Sequence, residues 1–171
     1  MLTSTDARTF MRTWIAIFLA VLALLSQGVR ADQTTSGTED AQDVKSVLFA
    51  YEEAWSRHDA KAIASFYLEP ALRVSTTGPT VRPTQASQEA FFAPFLISLV
   101  KQGYANSTWE RLDVHLLDAN TAIASGVVVR YRQDRSVFQR QGVTYGLWRT
   151  DQGWKIFMSA THSPDAAIRF P

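Results

Sequence analysis

After Gln102-Gly103 the apolar residues of this 171-residue chain change from a spacing near 3.6 to a spacing of 2. Four long runs then alternate: Trp109 to Leu117, Ala122 to Arg132, Val137 to Arg149 and Trp154 to Ser163. Their connectors are short: Asp118-Ala119-Asn120, the arginine-flanked Gln133-Asp134-Arg135-Ser136, and Asp151-Gln152-Gly153. Short connectors join antiparallel neighbours, so the runs predict a meander of four strands.

The segment before the meander supplies a cover for it. Val44, Val47, Leu48, Tyr51, Ala54 and Trp55 fall on one helical stripe, in a helix starting near Thr38 or Asp40. Arg57-His58-Asp59 interrupts the stripe. Asp59 is placed to cap a second, short helix with Ile63, Phe66 and Tyr67 on its buried side, ended by Glu69-Pro70. Ala71 to Ser75 reads as a short strand, Thr76-Thr77-Gly78-Pro79 as a turn, and Thr80 to Arg82 as its return. A third helix is expected from Ser87, with Phe91, Phe92, Phe95, Leu96, Leu99 and Val100 on its apolar side and Pro94 inside it. Three helices followed by long strands predict an α+β domain with the helices on one face of the sheet.

The first residues read as an export signal. Arg8 and Arg12 form a basic start, Trp14 to Leu25 an uncharged apolar core, and Val29-Arg30-Ala31 a small-x-small cleavage site. The apolar core is about a dozen residues, where a membrane-spanning helix needs roughly 20. The expected organisation is a signal peptide over residues 1–31, a flexible leader over 32–39, one domain over 40–163 and a tail over 164–171. The expected location is secreted or periplasmic, with no membrane contact after cleavage. There is no Cys, so no disulfide staples the chain and the apolar core must suffice. Without the leader's three Arg and one Asp the chain is close to neutral, which gives no bulk electrostatic case for nucleic acid. Arg130, Arg132, Arg135 and Arg140 cluster in sequence and read either as an anion-binding edge or, the preferred reading, as a solvated hairpin whose charges discourage edge pairing.

The order helix, helix, hairpin, helix, meander resembles the nuclear transport factor 2-like superfamily, in particular its SnoaL-like branch. Tyr51-Glu52-Glu53-Ala54-Trp55-Ser56-Arg57-His58-Asp59 resembles the first helix of that family running into the cap of the second. Phe66-Tyr67-Leu68-Glu69-Pro70-Ala71 resembles the exit to the first strand. Trp148 to Ile156 resembles the closing hairpin, and His162-Ser163 the end of the last strand. The resemblance covers roughly Asp40 to Ser163. It implies a cone-shaped, curved antiparallel sheet, a short hairpin plus the four-stranded meander, wrapped on three helices around a conical cavity. Members with this fold include isomerases, dehydratases, epoxide hydrolases, cyclases and binding or assembly modules, so the fold alone does not assign a function.

Ketosteroid isomerisation needs a general-base Asp and an oxyanion hole made of a Tyr and a protonated Asp. Tyr51 matches the Tyr, but the base position falls on Ser75 and no acid lies in Val143 to Gly146, so that activity is excluded. Epoxide hydrolysis would call on Arg111 and Asp113. In that strand Leu112, Val114 and Leu116 share one face and Arg111, Asp113 and His115 the other, so the polar set faces away from an apolar cavity. Of the three His, His58 lies in the turn between helices. His162 shares parity with Trp154, Ile156, Met158 and Ala160, and is therefore the candidate cavity imidazole, a side-chain type suited to proton transfer. No HxH, HExxH, Cys or acidic run points to a metal, and no cofactor is expected.

Three functions remain. The first is a cavity binding a small hydrophobic molecule, with Trp55, Phe66, Phe91, Phe95 and Trp154 as its lining and no assignable catalysis. Aromatics are 12% of the chain, enough for such a lining and equally for a filled core. The second is a lyase or isomerase using His162 with Tyr51 or Tyr145. The third is an assembly module. A homodimer through the outer face of the meander is expected, because apolar residues occur on both parities of the last two strands.

Overall fold

The structure, a computed structural model, describes residues 37–170. The chain divides into two units, Met1–Glu39 and Asp40–Pro171. The signal-peptide reading of residues 1–31 lies outside the described residues. Residues 37–39, read as part of a flexible leader, are already helical.

The first helix, α1, runs through residues 37–56, followed by α2 (Ala60–Ser65). Strands β1 (Tyr67–Ser75) and β2 (Gly78–Arg82) form a hairpin, and α3 spans Gln85–Lys101. The meander is β3 (Asn106–Leu116), β4 (Thr121–Tyr131), β5 (Val137–Thr150) and β6 (Gly153–His162), closed by a 3-10 turn at Pro164–Ala166. The six strands form one sheet in the order β2-β1-β6-β5-β4-β3. All neighbours are antiparallel except β1 and β6, which run parallel. This is the α+β cone fold that the resemblance implied.

Local chemistry sets the element ends. The Asp59 carboxylate accepts from the Ala62 amide at 2.9 Å and starts α2, as its position predicted. The third helix starts two residues before the expected Ser87, because Thr84 caps it: Thr84 Oγ1 accepts from the Ser87 amide at 3.1 Å, and Ser87 Oγ accepts from the Thr84 amide at 3.2 Å. Pro94 lies inside this helix on its exposed side. The helix α2 stops at Ser65, short of Glu69-Pro70, and Tyr67 already belongs to β1. The ladder from β1 to β6 is irregular between Tyr67 and Leu72, where Pro70 has no amide hydrogen to donate.

The inner face of the sheet packs on the helices. Val44, Leu48 and Tyr51 of α1 and Phe92, Leu96 and Leu99 of α3 meet Ala122, Ala124, Leu147 and Ile156 in one buried cluster. On β3, Leu112, Val114 and Leu116 point into this core, opposite Gly126, Ala124 and Ala122. Arg111, Asp113 and His115 occupy the outer face, as the alternation predicted. There the residues after β6 cross the sheet. Arg111 bonds Asp113 at 2.7 Å and donates to the Ala167 carbonyl at 3.0 Å, the Ile168 amide donates to Ser125 Oγ at 2.9 Å, and the His115 ring stacks on Phe170.

On β6 the alternation breaks. The register of β5 with β6 slips between Gly146 and Leu147, which face Met158 and Ile156, leaving Phe157 as an extra residue. Such a bulge puts two residues opposite one and reverses the faces beyond it. Trp154 and Ile156 point inward, and beyond Phe157 so do Ser159 and Thr161. Met158, Ala160 and His162 therefore lie on the outer row.

Candidate functional site

Between the helices and the inner face lies a cavity of about 50 Å³. Tyr51, Glu52 and Trp55 reach it from α1, Tyr67 and Arg73 from β1, and Phe92 and Phe95 from α3. The far wall is Val128 and Arg130 of β4, Gln141, Val143 and Tyr145 of β5, and Ser159, Ala160 and Thr161 of β6. A more open groove of about 430 Å³, lined by Phe95, Leu99, Gln102, Arg130, Phe138, Gln139 and Gln141, shares Phe95, Arg130 and Gln141 with it. Those three side chains border both spaces.

Tyr51 is the centre of the aromatic lining. Its ring meets Trp55, Phe66, Tyr67 and Tyr145 edge-on, at centroid distances of 6.2, 5.6, 5.9 and 5.7 Å. These are the edge-to-face contacts that ring quadrupoles favour. Its hydroxyl bonds that of Tyr67 at 2.8 Å. Tyr145 and Ser159 line the same cavity beside this pair. Burial, then the neighbouring tyrosines, raise the Tyr51 phenol far above its ordinary range; burial, then the Glu52 charge, do the same to Tyr145. All three phenols are therefore neutral hydroxyls at any physiological pH. A pair of hydroxyls has one internal bond and two protons, so one O–H remains to serve an acceptor in the cavity.

Glu52 is the acid of the site. It is 6% exposed, and burial pushes its carboxyl up to about 7, against a hydrogen bond from Ser107 and the charge of Arg130. Tyr104 bonds the same Ser107 hydroxyl at 2.8 Å. Arg130 is buried, donates to Gln139 Oε1 at 3.0 Å and lies over the Trp55 ring at 5.1 Å. The four-arginine cluster is thus split. Arg135 and Arg140 are exposed, Arg132 is half-buried, and Arg130 turns inward because it shares the parity of Ala124, Gly126 and Val128.

Of the residues singled out from the sequence, Tyr51, Tyr145, Trp55 and Phe95 line the cavity. Phe66 packs against Tyr51 from behind, Phe91 stacks on Phe95, and Trp154 is buried beneath Arg149, none of them on the cavity wall. His162 is placed otherwise than its parity predicted. Because of the bulge at Phe157 it lies on the outer face, where Thr144 Oγ1 is 2.9 Å from its Nε2 and the Ser163 carbonyl 2.8 Å from its Nδ1. It does not converge with Tyr51 or Tyr145. His58 bonds the Ala105 carbonyl at 3.0 Å in the turn between helices. No group of three or more His, Cys, Asp or Glu that could hold a metal occurs among the described residues.

Glu52, Tyr67, Arg73, Arg130 and Ser159 were not read as site residues. A signal existed for the first: Leu48, Glu52 and Trp55 follow one another at helical spacing, which sets a carboxyl inside an apolar stripe.

The family model described as "NTF2-like protein (DUF6841)" matches residues 39–164. No match was found among curated proteins. Among solved structures, the chain is similar to an NTF2-like protein with a cystatin-like fold from Novosphingobium aromaticivorans, with 17% identity, a TM-score of 0.63, and coverage of 81% of this chain and 89% of that one. It is also similar to a domain of unknown function with a cystatin-like fold from Nostoc punctiforme, with 18% identity, a TM-score of 0.61, and coverage of 74% and 78%. A third is a ketosteroid isomerase-like protein from Erwinia carotovora, with 15% identity, a TM-score of 0.55, and coverage of 72% and 95%. At these identities the likeness is one of fold.

Proposed function

The chain belongs to this NTF2-like family, and from the cavity that its fold encloses we propose that it binds a small, mostly apolar molecule by an oxygen at one end. The observation that carries this reading is the hydrogen-bonded hydroxyl pair of Tyr51 and Tyr67, with Tyr145 and Ser159 beside it, in the lining of an aromatic-walled cavity. Aromatic walls take up an apolar body, and a few fixed polar groups orient it. The inner space admits only about three to five water-sized groups, so the rest of a larger ligand extends toward Phe95, Leu99 and Phe138. With the export signal read at residues 1–31, the ligand is met outside the cytoplasm.

The test is a panel of neutral apolar compounds with one carbonyl or hydroxyl oxygen, such as acetophenone, cyclohexanone and p-cresol. At least one is expected to raise the melting temperature and quench Trp55 fluorescence saturably. Tyr51→Phe is expected to weaken that compound about tenfold, the value of one buried hydrogen bond. No binding across the panel, or unchanged affinity in Tyr51→Phe, would overturn the reading.

One observation favours a second reading, an acid-base enzyme. Glu52 lines the same cavity with its carboxyl at about 7, where a group both gives and takes protons efficiently. Here Glu52 takes the place that the sequence suggested for His162.

A homodimer through the outer sheet face remains part of the proposal. Trp148 is 45% exposed, and Phe157 and Met158 are half-buried on the same face. Sedimentation at micromolar concentration is expected to show the dimer, and Trp148→Glu to dissociate it. A monomer throughout would remove this element and leave the cavity reading intact.

A further inference from the structure

We propose that Arg73 and Arg82 form an anion site at the β1 end of the cavity, and that the molecule held there is a small carboxylic acid with an apolar body. The proposal rests on the binding reading above and names the ligand class.

Arg73 lies opposite Ser159 of β6 and lines the cavity. Arg82 pairs with Ala71, one step along the hairpin on the same face. Their guanidinium carbons lie 5.0 and 3.8 Å from the centre of one ring, that of Phe91. Two like charges thus converge, and among the described residues neither forms an ion pair with a carboxylate. Arg82 Nη1 is buried without a hydrogen-bond partner. Burial first, and the charge of Arg73 second, loosen the hold of Arg82 on its proton, and no carboxylate opposes them. The cation-π contact with Phe91 offsets part of this cost, but it satisfies no N–H donor.

Arg130 shows what a satisfied arginine looks like in the same cavity. It has Glu52 beside it, Gln139 as an acceptor and Trp55 beneath it. The contrast leaves the Arg73 and Arg82 end short of one negative charge. A carboxylate matches that deficit, since its two oxygens accept from the planar fork of a guanidinium. The Tyr67 and Ser159 hydroxyls adjoin this end as further donors. Glu52 is the one acid lining the cavity, and the charge of Arg130 acts on it. Phe92 and Phe95 then flank the apolar body.

The experiment titrates the purified protein with benzoate and with its neutral isostere benzamide, by calorimetry and Trp55 fluorescence. Benzoate is expected to bind roughly ten- to a hundredfold more tightly than benzamide, the range for hydrogen bonds to a charged partner. Added salt should weaken benzoate alone. Arg73→Gln and Arg82→Gln should each erase the preference by weakening benzoate far more than benzamide, whereas Arg140→Gln, on the outer face, should change neither. Equal binding of benzoate and benzamide by the wild-type protein overturns the anion site while the cavity reading stands. Binding of neither overturns both. Inorganic phosphate displacing benzoate at equal concentration overturns the assignment to carboxylic acids.

Discussion

Replacing Glu52 by Gln is expected to stabilise the protein at alkaline pH. The Glu52 carboxyl rises from an ordinary 4.5 to about 7 in the fold. A raised acid pKa means that the folded chain keeps its proton after the unfolded chain has released it. The stabilisation from that retained proton is complete below about 4.5 and is lost as pH climbs through 7. The loss amounts to about 3 kcal/mol, since each pKa unit is about 1.4 kcal/mol. The amide of Gln cannot ionise and escapes it. Urea denaturation should therefore show Glu52→Gln more stable than wild type by up to about 3 kcal/mol at pH 8.5, with the difference vanishing near pH 4. Arg130 is the opposing charge, and it retains Gln139 and Trp55 in the variant. A pH-independent difference, or a variant less stable at pH 8.5, would show that the charge of Arg130 offsets or outweighs burial. If the cavity does acid-base work, the same variant loses about 10²–10⁴ in rate while gaining stability. A binding site would show the gain alone.

Gly126→Ala is expected to be the most damaging single methyl in the sheet. A Cβ at this position would stand 2.1 Å from the Arg111 carbonyl oxygen and 2.9 Å from the Trp109 ring. Gly126 lies opposite Leu112, beside the irregularity of β3 between Trp109 and Arg111. The obstacle is backbone held in a ladder, so β3 must part from β4 to admit the methyl. Overpacking of this kind costs about 3 kcal/mol or more, or roughly 10 °C in melting temperature for a domain of this size. Gly146→Ala provides the comparison. Its Cβ would meet the Phe157 ring at 2.5 Å, but that ring is a half-buried side chain on the outer face and can swing aside. A Gly126→Ala midpoint no lower than that of Gly146→Ala would refute the account.

The residues divide by what governed them. Val44, Leu48, Tyr51 and Trp55 share a face because a helix repeats every 3.6 residues, and Leu112, Val114 and Leu116 because a strand repeats every 2. Asp59 caps α2 through its own side chain and an amide three residues on. These are properties of the local chain. Helix and strand order, the meander and the inner face of β3 could therefore be read from the letters, together with the cavity positions of Tyr51 and Tyr145.

The remainder depended on partners distant in sequence. Phe157 is a bulge only because of how β5 pairs with β6, and one extra residue there moves His162 to the outer face. Parity counting assumes an unbroken ladder, and nothing in Lys155-Ile156-Phe157-Met158 marks the break. The parallel pairing of β1 with β6 joins residues far apart in the chain, and it alone brings Arg73 beside Ser159. The charge of Glu52 is decided in the same way. The helical spacing sets it inside an apolar stripe, but it becomes a proton-holding group only when β3, β4 and β5 close over it and exclude water. Alternation and capping energies are local, so the sequence determined the elements. Desolvation and register are set by what packs against a residue, so only the tertiary structure decided which side chains form the site.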